Sequence, residues 1–175
     1  MAVTEEKDLR SETLYQVGRK MLLAARTAPK ACGIDNFSGA IVTGDDILAL
    51  SEKLAEMGKA VNKPFFMRDA ENIKQAGCIV LLGTRLIPQG LNCGLCGFDT
   101  CAAKPKAVPC AFNTGDLGIA VGAAASVAMD CRADNRIMYT VGRAAVALNL
   151  LGPDVKIIFG IPLSSTGKNP FFDRK

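Results

Sequence analysis

DLGIAVGAAASVAMDC, residues 116–131, holds the longest apolar run of the chain, Leu117 to Met129, bounded by Asp116 and Asp130. The run is too short to span a bilayer and reads as a buried helix. Small residues dominate it, so the helix packs closely, and Gly118 and Gly122 let a neighbour approach. Asp116, just before the helix start, reads as its N-cap. Downstream, Met138 to Leu151 reads as a further helix, stopped by Gly152-Pro153, and Val155 to Ile161 as a strand. Asp134-Asn135-Arg136 reads as a capping turn between the two helices, since Asp and Asn favour such places. The alternative for it is the lining of a site at a dimer interface. Arg143 lies among small and apolar helix residues, either paired with an acid or facing an anionic ligand.

Upstream, Ser11 to Arg26 reads as a helix. Leu14, Val17, Met21, Leu22 and Ala25 form a stripe at the 3.6-residue helical period, and Pro29 and Gly33 end it. Ala40 to Thr43 is short and β-prone. Asp45 or Asp46 then caps a second helix with its stripe at Ile47, Leu50, Leu54, Met57 and Val61. Asn62 to Phe66 reads as a turn, Asp69 to Ala76 as a short helix, and Cys78 to Leu82 as a buried strand.

Bulk composition narrows the class. The chain has 175 residues, enough for one domain with a real core. Hydrophobic residues make up 49% and charged residues 22%, the balance of a folded globular protein. A net charge of +4 is scattered, with no tryptophan and 6% aromatics, so the basic stripe and stacking platform of a nucleic-acid binder are missing. Met1 to Asp8 is polar and acidic and lacks the form of a signal peptide. The expectation is a cytoplasmic protein without a membrane span.

Between the two halves lies the segment Thr84 to Asn113, with little periodicity, three prolines, three glycines and four cysteines. A loop this long needs a reason to be ordered. Its core is NCGLCGFDTCAAKPKAVPC, residues 92–110, with the spacing C-x2-C-x4-C-x8-C. Cys93 and Cys96 can ligate one centre from one tight loop, and Gly94 and Gly97 let backbone amides turn towards sulfur. Cys93, Cys96, Cys101 and Cys110 then form the ligand set of an iron–sulfur cluster of the 4Fe-4S type. Cys78 and Cys131 are alternatives for the fourth ligand. The chain has no histidine, which excludes mixed Cys/His zinc sites, Rieske-type ligation and histidine acid–base catalysis. A structural four-cysteine zinc site is the competing reading, though it more often shows two separate C-x2-C knuckles. Seven cysteines in a reducing compartment argue for metal or redox chemistry rather than disulfides. Of the remaining Cys32, Cys78 and Cys131, at least two are expected in the core, with Cys32 the one that faces a site.

CGLCGFDTC, residues 93–101, resembles the small cluster domain of Rnf-type electron-transport subunits and corrinoid iron–sulfur proteins, which begins C-G-x-C-G-x-x-x-C. That family's last cysteine usually lies further on than Cys110 does. With DLGIAVG and DNRIMYTVGRAA added, the whole chain resembles an uncharacterised prokaryotic family of ferredoxin-domain proteins, the DUF2148 type. AARTAPKACGIDNFSGAIVTGDD, residues 24–46, and the pattern of helix, helix and KIIFGIP at the other end are similar to flavin nitroreductases. The arginine-rich start of that family, R-x-S-x-R, is absent before the first helix.

The nitroreductase resemblance implies a single α+β domain over 1–175, with an antiparallel or mixed sheet, packed helices and an inserted cysteine-rich cluster loop at 84–113. It also implies a homodimer sharing helices, with FMN at the interface; Arg26, Lys30, Asn36 and Arg174 are the candidate FMN contacts. The first functional expectation is one-electron transfer to a partner protein or a bound flavin. The second is an FMN-dependent nitroreductase-like oxidoreductase with the cluster as relay. The third is a structural zinc module. No catalytic residue is assigned.

Overall fold

In the computed structural model, which describes residues 3–172, the apolar segments pack around one four-stranded sheet. Along the chain the elements are α1 (Glu6–Thr27), β1 (Phe37–Val42), α2 (Asp45–Val61), α3 (Pro64–Ile73), β2 (Cys78–Arg85), α4 (Ala111–Asp130), β3 (Asp134–Asn135), α5 (Tyr139–Ala147) and β4 (Val155–Ser164). Single 3-10 turns lie at Ala31–Gly33 and Pro170–Phe172. The strand order is β1-β2-β4-β3, and every neighbouring pair is antiparallel.

β2 is buried along nearly its whole length because helices cover both faces of the sheet. Successive side chains of a strand point to opposite faces. Cys78, Val80 and Leu82 therefore join the core formed with α1 and α4, beside Leu14, Val17, Met21, Leu117, Val121 and Ala124. Ile79 and Leu81 join the opposite core, with Leu50, Leu54, Ile73 and Val141 of α2, α3 and α5. Removing each large side chain of this kind from water contributes about 2 kcal/mol before the cost of ordering it. α5 lies so close to β4 that a Cβ at Gly142 would fall 1.6 Å from the Ile158 carbonyl oxygen.

The expected α+β architecture and its antiparallel sheet are present. Several boundaries differ for local reasons. α3 begins at Pro64, inside the expected turn, because proline at the first helical position is preset for the helix and has no N–H to leave unpaired. α4 begins at Ala111, with extended Cys110 at its N-cap position, so Asp116 lies inside the helix and is not its cap. Asp134-Asn135 is not a capping turn. It is a two-residue edge strand paired with Ser164 and Leu163, held by long-range partners that local composition does not reveal. Gly118 and Gly122 have nothing within 4 Å of an added Cβ, so no part of the described chain uses the close approach they permit. Among the described residues, no helix is long and apolar enough to cross a membrane.

Candidate functional site

Residues 86–110, between β2 and α4, contain neither helix nor strand. Both ends of this loop are tied to a buried polar knot. Asn113, 1% exposed, sits in the first turn of α4. Its Oδ1 accepts from Asn36 Nδ2 at 3.3 Å and from Gln89 Nε2 at 2.9 Å. Its Nδ2 donates to the carbonyls of Arg85 at 3.2 Å and Ile87 at 2.6 Å. One amide thus uses its full donor and acceptor capacity to join β1, the end of β2, the loop and α4. One turn further on, Asp116 accepts the Ala31 N–H at 3.2 Å on both carboxylate oxygens and Gln89 Nε2 at 3.0 Å on Oδ2. Thr84 Oγ1 donates to the Asn36 carbonyl at 3.3 Å. Lys30, Asn36, Phe37, Thr84, Asn113 and Asp116 line a cavity of about 10 Å³. That is room for about one water molecule. The buried Gln89 Oε1 has no partner among the described residues.

Cys110 lies against this knot. It is 6% exposed. Burial pushes its thiol up, but the backbone N–H groups of Gln89, Asn113 and Phe112 and the Lys104 ammonium outweigh that and hold it below the ordinary thiol range. This is the usual way a helix N-terminus favours a thiolate. The other three thiols sit further out: Cys93 is exposed, and Cys96 and Cys101 are half-buried. Gly94 and Gly97 adopt φ of +74° and +84°, a region side chains disfavour, and Gly97 N–H closes the turn onto the Gly94 carbonyl at 2.9 Å. Cys101 N–H donates to Asn92 Oδ1 at 2.8 Å.

All seven cysteines are free thiols. Among the described residues, no three Cys, Asp or Glu side chains are gathered closely enough to hold a metal ion. The structure therefore places the four candidate ligands on one loop without bringing their sulfurs together. The donor set still suits an iron–sulfur cluster: four soft thiolate donors on one short span, with Cys110 already surrounded by groups that stabilise negative sulfur.

Cys78 is buried, donates weakly to the Leu14 carbonyl at 3.5 Å, and burial pushes its thiol up to about 12. It is a core residue, as expected. Cys32 and Cys131 are both exposed, so only one of the three remaining cysteines is core, not two. Cys131 caps the end of α4 on the solvent side, and Cys32 has φ +53° in the turn after α1.

The candidate FMN contacts are engaged locally. Arg26 pairs with Asp35 Oδ2 at 2.5 Å and lies over the Phe37 ring at 4.7 Å. Lys30 Nζ donates to the carbonyls of Ala25, Arg26 and Ala28 at the end of α1, at 3.0, 2.7 and 2.7 Å. Asn36 is in the buried knot, and Arg174 lies outside the described residues. Gripping a phosphate through Arg26 or Lys30 would mean giving up these bonds. Arg143 is exposed on α5. Gln89 and Lys104 escaped the sequence reading, and Asp116 entered it only as a cap. The one signal for that aspartate was its place at the head of DLGIAVG.

A model of the family described as "Uncharacterized protein containing a ferredoxin domain (DUF2148)" matches residues 106–174. An uncharacterized protein of Archaeoglobus fulgidus is 38% identical over 97% of this chain and 96% of its own length. Among solved structures, an oxidoreductase containing FMN superposes with a TM-score of 0.60 at 15% identity, over 87% of this chain and 67% of that one. The FMN-dependent nitroreductase NfnB from Mycobacterium smegmatis, in complex with NADPH, gives 0.56 at 13% identity, over 87% and 78%. A BluB-like flavoprotein from Clostridium difficile 630 gives 0.53 at 16%, over 95% of both chains. At these identities the likeness is one of fold, and the fold is nitroreductase-like.

Proposed function

Since this chain belongs to the family of uncharacterized proteins containing a ferredoxin domain (DUF2148), we propose that it is an iron–sulfur electron-transfer protein on a nitroreductase-like scaffold. Cys93, Cys96, Cys101 and Cys110 would hold a cluster of the 4Fe-4S type. The observation that carries this reading is the placement of four thiols on one short span, with Cys110 buried at the N-cap position of α4 and Cys93, Cys96 and Cys101 on the loop that leads into it. Such a cluster, when bound, accepts and releases single electrons. The chain's part is to supply thiolates, to turn amides towards sulfur and to keep water from the Cys110 side. The electron goes to a partner protein or a flavin.

The likeness to FMN proteins supports a second reading, in which FMN also binds and the cluster serves as its relay. A homodimer would set that flavin between copies. Exposed Ile119 and Met129 on α4, the helix that also carries the open Gly118 and Gly122, support such a pairing. The setting that suits seven cysteines, four of them proposed as cluster ligands, is a reducing cytoplasm.

The test is metal, sulfide and flavin analysis of protein purified anaerobically. Iron and acid-labile sulfide in equal amounts, near four each per chain for this cluster type, are expected. Zinc in place of iron would replace the reading with a structural zinc module. Iron without flavin would remove the relay reading alone.

A further inference from the structure

After α1 the chain reads Ala28-Pro29-Lys30-Ala31, and proline has no N–H to continue the helix ladder. The last carbonyls of α1 need another donor. Lys30 is that donor. Its Nζ reaches the carbonyls of Ala25 at 3.0 Å, Arg26 at 2.7 Å and Ala28 at 2.7 Å. An ammonium has three N–H groups, so all of them are committed. Its charge also lies at the negative end of the helix dipole. Arg26, one turn back, is committed too, through NH1 to Asp35 Oδ2 at 2.5 Å and to the Phe37 carbonyl at 3.4 Å.

The next backbone N–H, that of Ala31, donates to both carboxylate oxygens of Asp116 at 3.2 Å. Asp116, Lys30 and Asn36 line the same cavity of about 10 Å³. An anion is thus already seated at the end of α1, and it is a side chain of the protein itself. A phosphate brought to this face would meet a carboxylate of like charge. It would also have to draw Lys30 away from three carbonyls and leave them without donors. The cavity has room for about one water and none for a flavin ring.

We infer that the basic end of α1 is a structural latch, closed by Lys30 and Asp116, and not the phosphate site of a flavin mononucleotide. The inference goes beyond both readings above. It uses no cysteine and no bound metal. It takes from the flavin reading three of the four residues named for it, Arg26, Lys30 and Asn36.

The experiment compares the wild type with Arg26→Ala and Lys30→Met, each as the full chain purified anaerobically. The readouts are bound flavin, FMN titration followed by flavin fluorescence, and Tm. The expected result is no saturable FMN binding by the wild type, and for K30M a Tm lower by about 3 °C as the helix end loses its donor. FMN binding that neither R26A nor K30M weakens would also support the inference, because the flavin then rests on other groups. FMN binding that either variant weakens by about tenfold or more would overturn it. An unchanged Tm in K30M would overturn the latch. Iron and zinc contents bear on the cluster reading alone, so the failure of that reading is distinct from these outcomes.

Discussion

The sheet and the cysteine loop of this protein are ordered by opposite means. β2 has seven consecutive buried residues, from Cys78 to Thr84, with apolar helices on both sides. The loop from 86 to 110 is mostly exposed, and its Ile87, Leu91 and Leu95 show their side chains to solvent. What fixes the loop is a few polar bonds at its two ends. Area buried sets the stability of the first region. Satisfaction of buried polar groups, and the ligands of the proposed cluster, set that of the second. A protein built this way can reshape its chemistry without repacking its core.

The sharpest way to break the comparison is to remove a ligand. Cys96→Ala is expected to abolish iron binding and speed amide exchange across residues 84–113, leaving the amides of β2 and β4 protected. Cys78→Ala, a core change only, is expected to keep full iron content. A loss of iron there would move the fourth ligand from Cys110 to Cys78. Gly142→Ala strikes the framework instead. Its Cβ meets the Ile158 carbonyl. A stability loss of about 3 kcal/mol by denaturant unfolding is expected, as α5 is pushed from β4.

Asn113→Ala attacks the join between the two regions. It removes the partner of the Asn36 amide and of two carbonyls, and one of the two acceptors of Gln89 Nε2. A loss of about 2 kcal/mol is expected, with faster exchange at both ends of the loop. The smallest effect concerns the exposed Arg26–Asp35 pair. Burial pushes the Asp35 carboxyl up, but the Arg26 guanidinium, the Phe37 amide and Lys30 hold it net below the usual carboxylate value. A depressed carboxyl contributes stability above its unfolded pKa and loses it as pH falls through the folded value. Asp35→Asn is thus expected to cost about 0.5 kcal/mol or less at pH 7, a gap that closes as the pH falls through the lowered folded value.

The framework was legible because its signals are local. The stripe from Leu14 to Ala25 and the run Cys78–Leu82 each reveal an element from their own period. The cysteine spacing was legible for the same reason. The knot was not, because its members come from distant parts of the chain. Ala31 and Asp116 are 85 positions apart, and Asn36 and Asn113 are 77. Nothing near Asp116 distinguishes a cap from an acceptor inside a helix. Cys131 misled for a related reason: it ends an apolar helix but falls on the solvent side of its last turn.

Anchoring the loop only at Arg85–Gln89 and Cys110–Asn113 has a consequence for how the family can vary. The entropy of closing a flexible span grows with the logarithm of its length, and doubling it costs only about 0.6 kcal/mol. The stretch from 90 to 109 can therefore gain or lose residues, or be exchanged for a different ligand loop, while the two anchors stay put. The scaffold acts as a socket, and the loop is the part that can be swapped.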